Sequence, residues 1–409
     1  MRTTFRLKTL TVAIAALSVA SAASAAGLDR SGQDMTAFLQ DGVYAEAVYT
    51  YIDADVSGYD SANDDPNSNT YERGKKTGDI AESYDFFRFG VKADINDTFS
   101  VGILYDEPFG AAADYSGDNN FVDANGEGTN VEVRSESITG IIGAKLGENK
   151  NFQVYGGPVA QRVQADVKLR GDAYYVANGY TAHVSTDQDY GWIAGMAYSK
   201  PEIALKAALT YRSEIDHSTN ASEDYPLAFK AGKPTSRSGD IEITTPESVN
   251  FDFQTGINPT MLATAKVRWV PWSDFAIEPS LYNEVSTANP DYRPDGLNLV
   301  EYDDDQWQVE VGVAKRLAPA LAVSGTVGWD SGAGDPTTSL GPIEGYYSVG
   351  LGAKYNVTKN WAVSAGGKYL WFGDAKGQLP TDKNVADFQD NDGYILGVKL
   401  SYQAMQNFN

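Results

Sequence analysis

The chain has 409 residues, and its 55 Asp and Glu outnumber its 32 Lys and Arg, which gives a net charge of −23. This acidity argues against a nucleic-acid partner, whose phosphates need a basic surface, and the absence of Cys excludes a disulfide framework and thiolate chemistry. The 25 Tyr, 16 Phe, 7 Trp and 40 Gly, with a negative mean hydropathy, favour a transmembrane β-barrel, in which only every second residue meets lipid.

Residues 1–25 are predicted to be a secretory signal peptide. Residues 2–8 hold three basic side chains, and residues 10–19 form an apolar run that is too short to cross a bilayer as a helix. Small residues at 23–25 then suit cleavage by a signal peptidase. The alternative, an uncleaved N-terminal anchor, would need an apolar run of about 18 residues, so the sequence favours an exported chain.

Residues 26–42 lie between the signal peptide and the first predicted strand. Four apolar residues recur there among polar neighbours with roughly helical spacing: Leu28, Met35, Phe38 and Leu39. This spacing predicts a short helical segment in front of the barrel. Two placements remain open for it, because it would either hang in the periplasm or tuck inside the barrel as a plug.

A period of two dominates the rest of the chain. In residues 87–95, apolar side chains at odd positions alternate with polar or small ones at even positions. A similar alternation recurs in residues 99–105, 203–211, 321–329, 361–371 and 396–402. The pattern predicts strands with one apolar face and one polar face, and aromatic residues at the strand ends are typical of membrane girdles.

Fourteen strands of this kind are predicted in a barrel domain of residues 43–409. Their approximate bounds are 43–53, 84–95, 98–108, 129–146, 151–170, 189–199, 203–213, 240–256, 260–283, 302–316, 320–330, 343–356, 360–373 and 391–403. Short turns alternate with long polar segments, as in outer-membrane barrels, and the even count returns both ends to the periplasm. Pro271 falls inside the ninth strand, where we expect a local irregularity and no turn.

A soluble sandwich of two sheets would show the same alternation, so periodicity alone does not decide the fold. The export signal, the aromatic strand ends and the alternating connection lengths favour the barrel. The predicted fold is therefore all-β: a fourteen-stranded antiparallel transmembrane β-barrel with a short N-terminal hatch or plug.

Four stretches of the sequence carry a family resemblance: residues 47–58 (AVYTYIDADVSG), 105–110 (YDEPFG), 209–215 (LTYRSEI) and 268–275 (RWVPWSDF). On these stretches the chain resembles the FadL/TodX family of outer-membrane hydrophobic-compound transporters. The resemblance implies a monomer with a hatch in its lumen, ligand entry from the external loops, an internal apolar pocket, and a lateral exit beside a kinked third strand. It also implies energy-independent uptake of hydrophobic compounds, with long-chain fatty acids as the expected ligands.

Two predicted external loops, residues 171–188 and 214–239, carry apolar side chains that exposed loops usually lack. These side chains are Tyr174 and Tyr175 in the first loop, and Leu227 and Phe229 in the second. Solvated apolar groups of this kind indicate a binding groove, and the resemblance implies a first ligand site between these loops. The alternative is that the two loops pack against each other as ordinary loop cores.

The end of the third predicted strand contains two residues that weaken strand pairing. Pro108 cannot donate a ladder hydrogen bond, and Gly110 brings no side chain to pack. A gap would open there if residues 111–117 continued a bent strand, whereas the alternative is an ordinary strand end that runs into a loop. On the resemblance this gap is the lateral exit, and Phe109 and the four apolar residues of the N-terminal segment contact the ligand inside the barrel.

A fatty acid also needs a cation for its carboxylate. The basic residues predicted to face inward are Arg88, Arg162, Lys206, Arg212, Lys266 and Arg268. Arg162 is the preferred candidate, because its position is similar to that of a basic residue near the family's internal site. The alternative is that these basic residues are paired with Asp or Glu inside the barrel.

Catalytic and metal chemistry finds no support in the sequence. The two histidines, His183 and His217, fall in predicted external loops, and no Gly-x-Ser-x-Gly elbow or metal-spaced His pair is present. Acidic runs such as residues 303–305 are interpreted as solvated loop faces, with a divalent cation bridging to lipopolysaccharide as the alternative. We therefore expect no enzyme activity, no catalytic residue, no cofactor and no bound metal.

Several functions remain open at this point. Uptake of long-chain fatty acids is favoured over uptake of alkanes or monoaromatic hydrocarbons by the same route. A general porin-type polar channel and a non-transport barrel such as an adhesin also remain open. The expected partners are a hydrophobic small molecule, outer-membrane lipid and lipopolysaccharide, and the chain is expected to be a monomer in the cell outer membrane.

Overall fold

The structure is a computed structural model in which residues 27–406 are described, so the predicted signal peptide lies outside the described residues. In chain order the first strands are β1 (Val43–Asp55), β2 (Ser57–Ser61), β3 (Arg73–Asp79), β4 (Tyr84–Asp94), β5 (Phe99–Asp106), β6 (Gly110–Asp114), β7 (Asn130–Leu146), β8 (Phe152–Lys168), β9 (Thr181–Lys200), β10 (Leu205–Arg212), β11 (Ile215–Asp224) and β12 (Ser236–Thr245). They are followed by β13 (Ser248–Asn258), β14 (Met261–Val270), β15 (Ala276–Ile277), β16 (Val300–Glu301), β17 (Gln306–Ala318), β18 (Leu321–Asp330), β19 (Thr337–Thr338), β20 (Glu344–Asn356), β21 (Trp361–Gly373), β22 (Ala375–Gln378), β23 (Asn384–Phe388) and β24 (Asp392–Ala404). The helices of the described part are α1 (Ser280–Ser286) and the 3-10 helices Asp172–Ala177, Pro201–Ile203, Ala228–Ala231 and Trp272–Asp274.

Seventeen of these segments form one sheet, which closes into a fourteen-stranded antiparallel barrel. β1 closes the barrel because it pairs with β4 on one side and with β24 on the other. Three barrel strands are interrupted and count as two segments each: β5 with β6, β10 with β11, and β12 with β13. The predicted all-β class and the fourteen-stranded antiparallel barrel are confirmed.

The outer surface follows the predicted alternation. On β4, Phe87, Phe89 and Val91 are exposed, whereas Phe86 and Arg88 are buried. The same alternation of exposed and buried positions runs along β5, β21 and β24. A continuous exposed band of apolar side chains is stable against lipid, not against water, so this band is the membrane-facing surface.

An aromatic row crosses five neighbouring strands at one edge of this band. Trp269 on β14 lies opposite Trp307 on β17. Trp329 on β18 lies opposite Tyr347 on β20, which lies opposite Trp371 on β21. Rings that are amphipathic in this way collect at the boundary between lipid and water, so the row is a membrane girdle.

The N-terminal segment, residues 27–42, lies among inward-facing side chains of the barrel. Met35 and Phe38 are fully buried, and the ring of Phe38 is 5.6 Å from that of Tyr155. Its backbone forms turns and no helix, so the helical prediction is wrong for this segment. Leu28 packs in one apolar cluster and Met35 in another, and the segment therefore has to serve two surfaces that one helical face would not reach.

The ninth barrel strand is shorter than predicted. β14 ends at Val270 and does not continue to residue 283, because Pro271 has no N–H with which to extend the ladder. The 3-10 helix Trp272–Asp274, β15 and α1 follow it. Within this turn Trp272 is fully buried, so the chain folds back over the lumen.

Parts of the predicted external loops are strands. β9 begins at Thr181, and β11 and β12 extend the seventh and eighth barrel strands outward. His183 and His217 therefore lie on strands, not in loops as predicted.

Beyond the barrel, β19, β22, β23, β2 and β3 form a separate five-stranded sheet. None of the helices in the described residues is long and apolar enough to cross a membrane.

Candidate functional site

A cavity of about 600 Å³ lies among the external loops. Tyr174 and Tyr175 of the first predicted loop and Leu227 of the second line it, so the structure brings these two loops together. Its volume falls in the range of roughly 300–1,000 Å³ that is usual for small-molecule sites. We call it the loop cavity.

A large part of the loop cavity was not predicted from the sequence. Further lining residues come from α1, from the chain just after it and from a more distant loop: Tyr282, Val285, Ala288, Tyr292, Leu379 and Pro380. Residues 281–289 have their apolar side chains at helical spacing, which could have revealed the helix. The predicted ninth strand ran through Pro271 to residue 283, so the helical spacing that begins at residue 281 was not recognised.

Tyr175 has a strained backbone conformation at the cavity wall. Its φ of 50° and ψ of −114° lie in a region that non-glycine residues rarely adopt. The ammonium group of Lys383 is 4.8 Å from the centre of the Tyr175 ring and donates a hydrogen bond to its hydroxyl. These contacts orient the ring, and strained residues of this kind cluster at ligand sites.

Three packed tyrosines support the loop cavity. The Tyr180 ring lies 5.3 Å from that of Tyr225 and 5.1 Å from that of Tyr282. The Tyr180 hydroxyl donates to the Glu223 carboxylate at 2.9 Å, which also accepts the backbone N–H groups of Leu281 and Tyr282 at 2.8 Å each. Glu223 therefore fixes the start of α1 against β11.

Burial makes ionisation of these tyrosines, which are neutral at pH 7 in any case, still less favourable. It raises the pKa of Tyr180, with the negative charge of Glu223 acting in the same direction. Burial also raises the pKa values of Tyr225 and Tyr282. The hydroxyl groups thus stay protonated, and no tyrosinate charge develops beside the apolar wall.

One cation stands at the rim of the loop cavity. Lys230, on the 3-10 helix Ala228–Ala231, lines the cavity and is exposed. Within residues 27–406 it forms no salt bridge, in contrast to Lys233, which pairs with Glu284 at 2.6 Å. Phe229 on the same helix is 61% exposed and does not line the cavity.

Two small apolar cavities lie deeper in the barrel. Their volumes are about 40 and 30 Å³. Leu28 of the N-terminal segment lines both, and Phe109 lines the second together with Trp272. The rings of Phe109 and Trp272 meet edge to face, with centroids 5.6 Å apart. The structure thus brings two predicted residues, Leu28 and Phe109, to one internal apolar surface.

The other predicted residues of the N-terminal segment lie elsewhere. Met35, Phe38 and Leu39 belong to a separate apolar cluster with Leu104 and Tyr155. They do not line either internal cavity. The predicted ligand-contacting residues therefore do not form one site. Some line the loop cavity, some line the internal cavities, and others belong to the cluster with Leu104 and Tyr155.

Arg162 does not face the lumen as predicted. It is exposed and lies on the same face of β8 as Phe152 and Val154, which are also exposed. Its Nε donates at 2.9 Å to Gln188, another exposed residue. The buried neighbours Gln161 and Val163 occupy the inner face, so the alternation along β8 directs Arg162 outward.

The other predicted basic residues contact groups inside the barrel. Arg268 donates two hydrogen bonds to Asp29, at 2.8 and 2.9 Å, and Lys266 pairs with Asp34 at 2.9 Å. Arg88 lies between Asp34 and Glu46, Lys206 donates to the backbone oxygen of Leu39, and Arg212 contacts Thr139 and Met35. Arg268, Lys266 and Arg88 are therefore paired with Asp or Glu inside the barrel, which is the alternative that the sequence left open.

The third barrel strand is kinked where Pro108 and Gly110 lie. The ladder between β4 and β5 ends at Phe89 and Tyr105, and contact with the second strand's chain resumes at the bridge between Ala81 and Ala113. β6 continues beyond the kink, and the one strand with which it forms a ladder in the described residues is β7, as expected for a bent strand. Within residues 27–406, no ladder joins the second and third strands in between, and we call this opening the strand gap.

The N-terminal segment lies against the strand gap. The backbone N–H of Arg30 donates to the Pro108 oxygen at 2.8 Å, and the N–H of Gly110 donates to the Leu28 oxygen at 2.8 Å. A bridge between Asp29 and Phe109 completes this short antiparallel contact. The segment thus replaces the partner that the kinked strand lacks.

The described residues contain no group of three or more His, Asp or Glu side chains arranged to hold a metal ion. Asp305 in the acidic run accepts hydrogen bonds from the Trp269 indole at 3.1 Å and the Ser273 hydroxyl at 2.5 Å. This carboxylate therefore anchors the turn after β14.

The sequence profile described as outer membrane protein transport protein (OMPP1/FadL/TodX) matches residues 11–403. No curated protein matches the chain.

Solved structures share the architecture at low sequence identity. A Pseudomonas aeruginosa FadL homologue is 15% identical, with a TM-score of 0.68 over 88% of this chain and 90% of that one. The P. putida toluene transporter TodX is 13% identical, with a TM-score of 0.60 over 95% and 94% of the two chains. The Ralstonia pickettii toluene transporter TbuX is 11% identical, with a TM-score of 0.56 over 89% and 90%. At these identities the likeness shows the fold.

Proposed function

The chain belongs to the outer membrane transport protein family OMPP1/FadL/TodX, and from this premise we propose that it takes up long-chain fatty acids by facilitated diffusion. As a member of the family it is an outer-membrane transport protein for hydrophobic compounds. The proposal adds the ligand class and the route. It also includes a cleaved signal peptide, a monomeric state, and contact of the apolar outer band with lipid and lipopolysaccharide.

The loop cavity is the observation on which the proposal depends. Its lining is largely aromatic and aliphatic, with Tyr174, Tyr282, Leu297 and Leu379 among its residues. Burial of an alkyl chain there gains about 0.8 kcal/mol for each CH₂ group. A cavity of this kind is suited to capture of a hydrophobic molecule from the medium.

Lys230 favours an acid over a neutral hydrocarbon as the ligand. It is a cation at the rim of a cavity whose lining is mostly apolar but also includes Asp291, and no described residue forms a salt bridge with it. A fatty acid would place its tail among the aromatic rings and its carboxylate near this ammonium. Alkanes or monoaromatic hydrocarbons, the alternative ligands, would make no use of the charge.

The filled lumen argues against a general porin. Asp29 and Asp34 of the N-terminal segment are joined to the barrel wall through Arg268 and Lys266, and Met35 and Phe38 leave no exposed surface. A porin needs an open polar path. The segment is suited to act as a hatch, which would shift to connect the internal cavities.

The proposed route leaves the barrel sideways. Ligand would pass from the loop cavity to the apolar surface around Leu28 and Phe109, and then through the strand gap at Pro108 and Gly110. The internal cavities, of about 40 and 30 Å³, are too small for a fatty acid in this conformation. Transport therefore requires movement of the N-terminal segment.

An uptake assay tests the proposal. Cells that lack their own transporters for hydrophobic compounds would express the full chain and receive radiolabelled palmitate, hexadecane or toluene. We expect the largest gain over empty cells for palmitate, together with growth on palmitate and unchanged growth on acetate. Uptake of none of the three probes would overturn the proposal, and a gain for hexadecane or toluene alone would assign the alternative ligands. Steady high conductance of the purified protein in a planar bilayer would assign a porin.

A further inference from the structure

Arg30 lies at the strand gap, and its surroundings differ from those of the paired arginine Arg268. Its side chain is 9% exposed, and its guanidinium carbon lies 3.8 Å from the centre of the Tyr84 ring, at the end of β4 that borders the gap. A Cβ atom on Gly110 would lie only 2.4 Å from the same guanidinium carbon. The absence of a side chain at Gly110 is therefore what allows Arg30 to occupy the gap.

The side chain of Arg30 has no direct carboxylate partner among the described residues. Its buried Nε has no hydrogen-bond partner among residues 27–406, and no carboxylate in that range forms a salt bridge with it. Two more distant carboxylates, Glu107 and Glu132, favour its charged form, and Arg134 opposes it. By comparison, Arg268 is 5% exposed and donates two hydrogen bonds to Asp29. A buried guanidinium nitrogen without an acceptor is unfavourable and calls for an explanation.

We propose that Arg30 is a carboxylate-binding site at the strand gap, where it receives the headgroup of the departing ligand. The backbone of Arg30 is fixed by its hydrogen bond to the Pro108 oxygen, so the guanidinium is held beside the opening. The apolar surface formed by Leu28, Ala111 and Ala112 lies next to it and suits the tail of the same molecule. This inference rests on the proposed function, and it extends that function from capture at Lys230 to a second cation on the way out.

The test compares two probes with the same chain length, palmitate and hexadecanol, at a pH where the acid is ionised. Cells expressing the full chain or its Arg30→Gln variant would be assayed for uptake of each. We expect palmitate uptake to fall on the order of tenfold relative to hexadecanol, because a charge-assisted hydrogen bond is lost. Hexadecanol does not use the charge, so its uptake should change little.

Two further variants separate charge from placement. Gly110→Ala keeps the charge and displaces the guanidinium, so it should lower the palmitate-to-hexadecanol ratio in the same direction. Arg30→Lys should retain part of the preference. Arg162→Gln is the matched control, because it removes the same charge from the outer face of β8 and should leave the ratio unchanged.

The outcomes are distinct. Heat-modifiable migration on gels reports whether each barrel is folded, and if Arg30→Gln does not fold, Gly110→Ala and Arg30→Lys decide the question by the same ratio. A folded Arg30→Gln variant with the wild-type ratio would overturn the inference and leave the proposed function intact. Equal increases for both probes would also overturn it, since Arg30 would then only seal the gap. If the wild-type chain takes up neither probe, the proposed function fails and the inference fails with it.

Discussion

The two apolar regions of this barrel differ in how much room they leave. The loop cavity has a volume of about 600 Å³ and carries Lys230 at its rim. Around Leu28, next to the strand gap, the lumen leaves cavities of only about 40 and 30 Å³, whereas a cavity of about 300 Å³ lies at the other end of the N-terminal segment, where Leu39 and Gly42 line it. Because the outer site is already open and the inner one is filled, the difference indicates that the interior, and not the loops, has to rearrange during transport.

The two regions also differ in how their charges are compensated. Inside the barrel, Arg268 and Lys266 hold Asp29 and Asp34 of the N-terminal segment, all across long sequence separations. At the outer site Lys230 is exposed and solvated. Buried charges need partners of this kind, whereas water stabilises an exposed lysine when no ligand is bound.

The largest effect is expected from a variant that removes the ion pair between Arg268 and Asp29 in the lumen. Arg268→Ala leaves Asp29 buried without the partner that donates two hydrogen bonds to it, and loss of one member of a buried pair costs about 3–5 kcal/mol. We expect the N-terminal segment to leave the lumen. The purified variant should then show steady ion conductance in a planar bilayer. Arg162→Ala, on the outer face, should remain closed, and a closed Arg268→Ala channel would contradict the comparison.

A smaller effect is expected from a variant that fills the loop cavity. Ala288 is exposed and lines the loop cavity, so Ala288→Trp would occupy the cavity with little change to the packed core. Palmitate uptake at low concentration should fall on the order of tenfold, about 1.4 kcal/mol of binding free energy. Ala288→Ser is the matched control and should behave as wild type. Equal uptake by both variants would show that capture occurs elsewhere.

The smallest effect is expected from the charge at the rim. Lys230→Gln removes a cation that water already solvates, so we expect a loss of about 0.2–1 kcal/mol in palmitate binding, which is a change of a few fold. The effect should weaken further as salt is added. Hexadecanol binding should not change. Lys359→Gln, in a turn remote from the cavity, is the control, and an equal loss there would show that the effect is one of net charge.

Much of the barrel could be predicted because its signal is local. Phe87, Phe89 and Val91 occupy every second position, and that spacing alone indicates which face of β4 meets lipid. The prediction is wrong where a single residue changes the backbone. Pro271 ends β14, and the apolar pattern that continues beyond it belongs to α1 and not to a longer strand.

The candidate site was predicted in part, for a related reason. Tyr174, Tyr175 and Leu227 are apolar residues in loops, a property visible along the chain, and they do line the loop cavity. The prediction for Arg162 is wrong because the face of a strand depends on its own alternation, and Phe152 and Val154 point the same way. Tyr282 was not predicted because it reaches the cavity only through the fold.

Local spacing was enough to predict the fold class, the fourteen strands and the membrane-facing surface, because alternation along a strand is a property of neighbouring residues. The tertiary structure alone decided which charges are paired, as for Arg268 and Asp29, which are 239 residues apart. It also decided that Arg30 lies at the strand gap beside Gly110 without a carboxylate partner. Contacts between distant residues depend on how the barrel closes and on where the N-terminal segment rests within it, and neither is encoded in local spacing.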